Sequence, residues 1–216
     1  MSKVTRWWWI RHAPVPDGGC IYGQRDLSAD CTDSAAFARR AASLPAGAVW
    51  VASHLRRTHE TAAAICAAGY GEAQPAIERD LAEQHFGEWQ GLPRKEVYAN
   101  QSRWPGFWLA PADHAPPGGE SFAQVVARVV PAIERLTESH AGRDIVAVAH
   151  GGTIRAALAL ALGLTPSAAL AFSIDTISLT RLDHIAGPDG AAWRVVAVNQ
   201  AADALPAGRD IPITFA

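Results

Sequence analysis

The amino-acid sequence predicts an α/β fold, a three-layer α/β/α sandwich in which helices cover both faces of a mostly parallel central sheet. Three observations support this fold class. Short apolar runs with the composition of buried strands recur along the chain. Amphipathic helical patterns separate these runs. Finally, three of the runs end in basic residues, and two of those lead through a short turn directly into a helix, which is typical of strands joined by helical crossovers.

Five main strands are predicted from the apolar runs. The first, Val4–Ile10, contains three consecutive tryptophans, which we expect to pack on both faces of a buried strand. The other four are Ala48–Ser53, Asp144–Ala149, Ile177–Leu182 and Trp193–Val198. A turn of sequence Gly-Pro-Asp-Gly at 187–190 joins the last two strands, and a short extended piece is expected at Ala76–Ile77.

Four helices are predicted from apolar residues at helical spacing. They are Ser34–Leu44, Thr58–Ala68, Ser121–His140 and Thr153–Leu162. The third helix has the widest apolar stripe, and Pro131 is expected to kink it. Residues 93–119, rich in aromatic residues and prolines, are predicted to form an irregular insertion over one face, with a short helix near Glu96. No composition shift marks a domain boundary, so residues 1–216 are interpreted as a single domain.

Composition and charge exclude several classes of function. The 216 residues carry a formal charge of −2 with neutral histidines, so no global basic field attracts nucleic acid or an anionic membrane. Three cysteines show neither metal-ligand spacing nor a disulfide framework, which favours a reducing compartment. No apolar run is long enough to span a bilayer. We therefore expect a cytoplasmic protein without a metal or another cofactor, and without a nucleic-acid or membrane partner.

Basic residues stand at the carboxyl ends of three predicted strands. Arg11 and His12 end the first strand, Arg57 follows the second, and His150 follows the third. Open parallel sheets bind ligands outside the carboxyl ends of their strands, so we expect these side chains to share one crevice. Taken singly, each also fits a solvated surface residue, and it is their joint placement that predicts a site.

Such a cluster has the composition of a phosphate site. Arginine forks match phosphate oxygens, and the helix that starts near Gly151 offers backbone N–H groups to the same anion. Nearby positive charge lowers the pKa of His12, so that its imidazole stays neutral and can carry a phosphoryl group. Glu83 is the candidate acid for the leaving oxygen and the candidate base for water; its alternative is a structural ion pair with an arginine.

Five segments carry recognisable motifs. They are RHA at 11–13, SHLRRTHETA at 53–62, LAEQHFGEWQG at 81–91, PGGES at 117–121 and HGGTIR at 150–155. In this order they resemble the signatures of the histidine phosphatases, also called the phosphoglycerate mutase-like superfamily. The second segment aligns Arg57, rather than Arg56, with the phosphate-binding arginine of the family.

This resemblance implies a phosphoglycerate mutase-like fold and an enzyme that uses no metal and acts on a small phosphorylated substrate. It implies His12 as the phosphorylated nucleophile and Glu83 as the proton donor. Arg11, Arg57 and His150 would form the phosphate pocket. Within the family the chain is most similar to the α-ribazole phosphatase-like branch, so α-ribazole phosphate of cobalamin assembly is a candidate substrate.

Two positions depart from the family pattern. Ala13 replaces the usual glycine and adds a methyl group beside the nucleophile. The sequence VPDG at 15–18 stands where the family often has Thr-x-x-Asn, so Gln24, or a backbone group near Gly23, is expected to supply a phosphate contact.

Two other functions stay open at this point. A phosphoglycerate mutase would return the phosphoryl group to a second hydroxyl, and a catalytically silent protein would only bind a phosphorylated ligand. The PGGES segment and the neutral C-terminal tail favour the phosphatase.

Overall fold

The computed structural model describes residues 3–99 and 110–202. Within them, the strands are β1 (Lys3–Arg11), β2 (Val49–Ala52), β3 (Ala76–Ile77), β4 (Asp144–Ala149), β5 (Leu179–Gly187) and β6 (Gly190–Gln200). The α-helices are α1 (Ser34–Ser43), α2 (Arg56–Ile65), α3 (Arg94–Ala99), α4 (Phe122–Ser139), α5 (Gly151–Leu162) and α6 (Pro166–Ala169). A π-helical turn, Cys66–Tyr70, extends α2, and two 3₁₀ turns lie at Arg79–Leu81 and Gly87–Trp89.

All six strands join one sheet in the order β3-β2-β4-β1-β5-β6. The first four of these are mutually parallel, whereas β5 runs antiparallel to β1, and β6 runs antiparallel to β5. The predicted α/β fold with a mostly parallel sheet is therefore confirmed, with an antiparallel pair at one edge. None of the helices in the described part of the chain is long and apolar enough to cross a membrane.

The three tryptophans of β1 join the sheet to both helical layers. Trp7 and Trp9 are fully buried in the cluster formed with α4 and α5, and their rings stack with centroids 4.7 Å apart. Trp8 belongs to the opposite cluster, with α1 and α2. The predicted packing on both faces is confirmed. Each buried tryptophan removes on the order of 150–250 Å² from water, so these side chains contribute strongly to the stability of β1.

Most element boundaries differ from the predicted ones by a few residues. The helix predicted to end at Ala68 leaves regular α-geometry after Ile65, and Gly69 has a φ of 119° within the π-helical turn. The short helix expected near Glu96 is α3. Pro131 lies inside α4, which continues on both sides of it. The rest of the insertion falls partly on residues 100–109, outside the described residues.

Strand order explains why distant residues meet. The neighbours β2, β4 and β1 all point the same way, and Arg11 of β1 is in register with Ala149 of β4. The next residues along these strands are His12 and His150. The His12 N–H donates to the Ala149 carbonyl oxygen at 2.9 Å, which fixes the nucleophile candidate beside the end of β4.

Candidate active site

His12 is completely buried at the end of β1. Its Nδ1 lies 2.7 Å from the Ala13 carbonyl oxygen. Because a carbonyl oxygen can only accept, Nδ1 must carry the proton, and the lone pair of the neutral ring then lies on Nε2. Among the described residues Nε2 has no hydrogen-bond partner. Burial, and the charges of Arg57 and Arg11, lower the pKa of His12 well below 6.5, so the ring is neutral and nucleophilic near neutral pH.

His150 lies beside His12, with ring centroids 5.1 Å apart. It is also fully buried, and its Nε2 is 2.7 Å from the Ser53 hydroxyl oxygen. Its Nδ1 is buried and finds no partner in the described part of the chain. Burial, together with the charges of Arg57, His12 and Arg11, lowers the pKa of His150 well below its usual value. If the Ser53 hydroxyl donates to Nε2, the Nδ1–H of the neutral ring is free to donate to an anion.

Arg57 lies in the first turn of α2, with its side chain buried. Two guanidinium nitrogens donate to the carbonyl oxygens of Gly23 at 2.6 Å and Arg25 at 2.9 Å, and the group lies 5.0 Å from the ring centroid of Tyr22. Arg11 donates to the Ile174 carbonyl oxygen. These bonds hold both guanidinium groups in place, while each Nε is buried without a partner among the described residues.

Glu83 lies between the two 3₁₀ turns, on a loop that faces the start of α5. Its Oε1 accepts the Gln84 N–H at 2.9 Å and the Gly152 N–H at 3.2 Å. A Cβ atom on Gly152 would lie 2.5 Å from this oxygen, so a side chain at that position would displace the carboxylate. The glycine therefore permits the close approach of Glu83 to the helix start.

A pocket of about 220 Å³ opens over this cluster. Its walls include Arg11, Tyr22, Glu83, Arg94, Tyr98, Gly151 and Arg155. Of the predicted site residues, the structure brings Arg11, Glu83 and Gly151 to the pocket wall. His12, Arg57 and His150 are buried next to it: the Tyr22 ring on the wall contacts Arg57 and lies 6.2 Å from the His12 ring.

Gln24 and Ala13 have clear positions but different contacts from those expected. The side-chain amide nitrogen of Gln24 donates to the Glu83 carbonyl oxygen at 2.8 Å, so in this structure it supports Glu83, and its contact with phosphate stays a prediction. The Ala13 methyl group is fully buried in the apolar cluster beneath α1 and α2, and the Ala13 N–H donates to the Thr61 hydroxyl at 2.9 Å. The additional methyl group is therefore buried within the apolar core.

Sequence reasoning missed four residues around the pocket. Ser53 directly follows β2, and Arg155 lies one helical turn after Gly151, so both positions carried a signal. Tyr22 and Arg94 come from irregular or insertion segments without such a signal. Arg94 forms an ion pair with Asp17, which lowers the pKa of that carboxyl. Within the described residues no three His, Cys, Asp or Glu side chains group as ligands of a metal ion would.

The family model of the histidine phosphatase superfamily, branch 1, matches residues 10–201. The chain belongs to this family. It is 40% identical over 122 residues to a glucosyl-3-phosphoglycerate phosphatase from Mycolicibacterium vanbaalenii, an alignment that covers 53% of each chain. A metal-independent phosphoserine phosphatase from Arabidopsis thaliana is 32% identical over 163 residues, which cover 72% of this chain and 68% of the plant protein. The chain spans only about half the length of the first of these curated relatives.

Solved structures of histidine phosphatases share the fold. A mycobacterial glucosyl-3-phosphoglycerate phosphatase superposes with a TM-score of 0.77 at 28% identity, covering 91% of this chain and 99% of the other. A putative α-ribazole-5′-P phosphatase from Escherichia coli has a TM-score of 0.72 at 23% identity, with 91% and 98% covered. This second likeness concerns the fold alone. The two curated relatives and the mycobacterial structure are named as phosphatases.

Proposed function

We propose that this histidine phosphatase hydrolyses a small phosphomonoester through a phosphohistidine on His12, without a metal ion. One observation carries the proposal. The buried nitrogens that lack a partner among the described residues include one on each of four side chains that the sequence predicted for the phosphate site: Arg11, His12, Arg57 and His150. Buried polar groups without partners are costly in a protein, and a phosphoryl group bound at this place would contact all four.

The proposed reaction has two steps. His12 Nε2 attacks phosphorus while the bond to the ester oxygen breaks, and the Glu83 carboxyl donates its proton to the leaving oxygen. Arg11, Arg57 and the His150 ring stabilise the charge on the phosphoryl oxygens. Water, deprotonated by the Glu83 carboxylate, then attacks phosphorus. The phosphorus–nitrogen bond breaks, phosphate leaves, and Glu83 is protonated again.

The test is hydrolysis of a phosphomonoester in excess chelator by the wild type, by His12→Ala and by His140→Ala. His140 lies at the C-terminal end of α4 and serves as the matched histidine control. We expect turnover by the wild type and the control, and none by His12→Ala. Turnover that survives His12→Ala would exclude the phosphohistidine route, and loss of activity with chelator would exclude metal independence.

The rival functions predict other outcomes of the same assay. A mutase would transfer the phosphoryl group to a second hydroxyl of an added phosphoglycerate, with little release of phosphate. A silent binding protein would retain phosphate without turnover.

For the substrate, we propose a phosphomonoester whose leaving group bears a second acidic group, as an alternative to α-ribazole phosphate. Arg155 supports this alternative: burial lowers the pKa of its guanidinium to about 10, its Nε is held by the Phe172 carbonyl oxygen at 2.8 Å, and the side chain lines the pocket. A second anionic group on the substrate would be attracted by this guanidinium at the pocket wall. A phosphoglycerate ester, such as the relative from Mycolicibacterium vanbaalenii is named for, carries a carboxylate of this kind.

A panel of esters separates the two substrate classes. It contains 3-phosphoglycerate, phosphoserine, ribose 5-phosphate and α-ribazole phosphate, assayed with the wild type and with Arg155→Met. We expect a higher kcat/KM for the carboxylates, and a loss of about 10- to 150-fold in that preference in the variant, since a charged hydrogen bond contributes about 1.5–3 kcal/mol. A preference for α-ribazole phosphate that Arg155→Met leaves unchanged would favour the corrinoid substrate.

A further inference from the structure

The PGGES segment at 117–121 supplies none of the side chains that the proposed chemistry uses, yet it packs closely against the loop that follows Glu83. The Glu88 N–H donates to the Pro117 carbonyl oxygen at 2.9 Å, and the Glu120 N–H donates to the His85 carbonyl oxygen at 2.8 Å. A Cβ atom on Gly119 would lie 2.4 Å from that same His85 oxygen. The segment therefore needs glycine to let the two backbones approach, and the approach places Glu120 beside Glu83.

The Glu120 carboxylate forms a two-pronged ion pair with Arg128 of α4. Arg128 Nε donates to Oε2 at 3.0 Å, and a terminal nitrogen donates to Oε1 at 2.7 Å. Oε1 also accepts the His85 N–H at 2.9 Å. The two side chains are only 18% and 22% exposed, so solvent screens this pair less than a surface pair. The pair is thus tied to the backbone two residues beyond Glu83.

The same guanidinium also binds the backbone up to Glu83 itself. Arg128 donates to the carbonyl oxygens of Asp80 at 2.6 Å, Ala82 at 3.0 Å and Glu83 at 3.1 Å. The Gln24 amide adds a second bond to the Glu83 oxygen. The peptide of Glu83 is consequently fixed through its carbonyl, while its carboxylate meets the N–H of Gly152.

We propose that Glu120 and Arg128 form a positioning clamp, which holds Glu83 at the distance where its carboxyl protonates the leaving oxygen. The clamp rests on the proposed function, because it requires Glu83 to act as the acid. A general acid must lie within hydrogen-bond reach of the leaving atom, and a displacement of about 1 Å costs on the order of 100-fold in rate. Neither clamp residue lines the pocket, so the clamp is proposed to act through the position of Glu83.

The test compares two substrates by kcat/KM, which reports on phosphoryl transfer to the enzyme. An alkyl phosphate needs a proton on its leaving oxygen, whereas 2,4-dinitrophenyl phosphate releases a stable anion that needs none. For Glu120→Gln and for Arg128→Met, we expect kcat/KM with the alkyl phosphate to fall roughly 10- to 100-fold, and that with the dinitrophenyl ester to change less than about threefold. The ratio of kcat/KM for the alkyl phosphate to kcat/KM for the dinitrophenyl ester is independent of the fraction of folded enzyme.

Two matched comparisons sharpen this result. Arg135 lies on the same helix and pairs with Glu78, outside the clamp, so Arg135→Met should keep the wild-type ratio. In a Glu83→Gln background, where the proton donor is gone, the clamp substitutions should leave the ratio unchanged. An equal loss for both esters would assign the pair a structural role only, and no loss for either would show that Glu83 keeps its position without the clamp; either result overturns the proposal.

The outcomes also separate this proposal from the function on which it rests. If the wild type hydrolyses neither ester, the proposed function fails and the clamp fails with it. If Glu83→Gln alone selectively loses the alkyl phosphate while the clamp variants keep the wild-type ratio, the proposed function stands and the clamp is wrong.

Discussion

Replacing Gly152 by alanine measures how closely the rate depends on the place of the Glu83 carboxylate. The added Cβ would lie 2.5 Å from Glu83 Oε1, whereas ordinary contact begins at 3.4 Å, so the carboxylate must withdraw by about 0.9 Å. The 3.2 Å bond from the Gly152 N–H would lengthen or break. A displacement of this size predicts a loss of about 100-fold in kcat/KM for an alkyl phosphate, or about 2.7 kcal/mol in the barrier.

Stability should change little or rise in the same variant. Alanine favours a helix over glycine by up to about 1 kcal/mol, with less to gain in the first turn of α5, and the Glu83 side chain is free to bend away. The assay therefore pairs phosphate release with thermal unfolding, and adds Gly152→Ala in the Glu83→Gln background, where no further loss is expected. Wild-type activity in a folded Gly152→Ala protein would refute the reasoning, because the carboxylate would then have moved without effect.

Three further predictions concern pH, the second histidine and the loop contact. Burial lowers the pKa of both site histidines, His12 and His150, below 6.5 in the folded state. As the pH falls, the unfolded chain therefore binds protons before the folded protein does. The free energy of unfolding measured in urea should be constant above about pH 7 and decrease as the pH falls through 6.5. Ser53→Ala removes the partner of the His150 ring, and should lower kcat/KM about tenfold and alter the ring tautomer in ¹⁵N NMR spectra; an unchanged tautomer would contradict the assigned role. Gly87 has a φ of 49°, and an added Cβ would lie only 2.0 Å from the Pro117 carbonyl oxygen. Gly87→Ala should therefore lower the free energy of unfolding by on the order of 2–4 kcal/mol. Gly142→Ala, also at positive φ but with open space around it, should lose only about 1–2 kcal/mol, and equal losses would rule out the loop contact as the cause.

The convergence of His12, Arg57 and His150 was predictable from the sequence because it follows from topology. The two histidines directly follow β1 and β4, and Arg57 lies in the first turn of the helix that follows β2. Parallel neighbouring strands present their carboxyl ends at one edge of the sheet. The structure places the rings of the two histidines 5.1 Å apart, as that rule requires.

The contacts between loops were not predictable in the same way. Gln24 has its amide on the Glu83 backbone, and Arg94 reaches the pocket with Asp17 as its partner. Such contacts depend on the path of irregular segments, which no periodicity in the sequence encodes. The start of α5 at Gly151 rather than Thr153 was missed for a simpler reason, since glycine is a weak helix former. In the structure, Gly152 in this first turn permits the approach of Glu83.

The pocket is built partly from the tryptophan-rich strand β1 and partly from segments outside the sheet, and these two parts can evolve separately. Arg11 ends a strand that is paired on both sides and packed on both faces, and His12 follows it directly, so the proposed phosphoryl chemistry rests on a backbone held by both neighbouring strands and both helical layers. Tyr22 and Tyr98 come from segments outside the sheet and line the pocket wall. Substitutions and insertions in those segments can alter which alcohol is released while the strand keeps the reacting atoms in place. A family with this architecture can diversify its substrates at small cost to its catalytic centre.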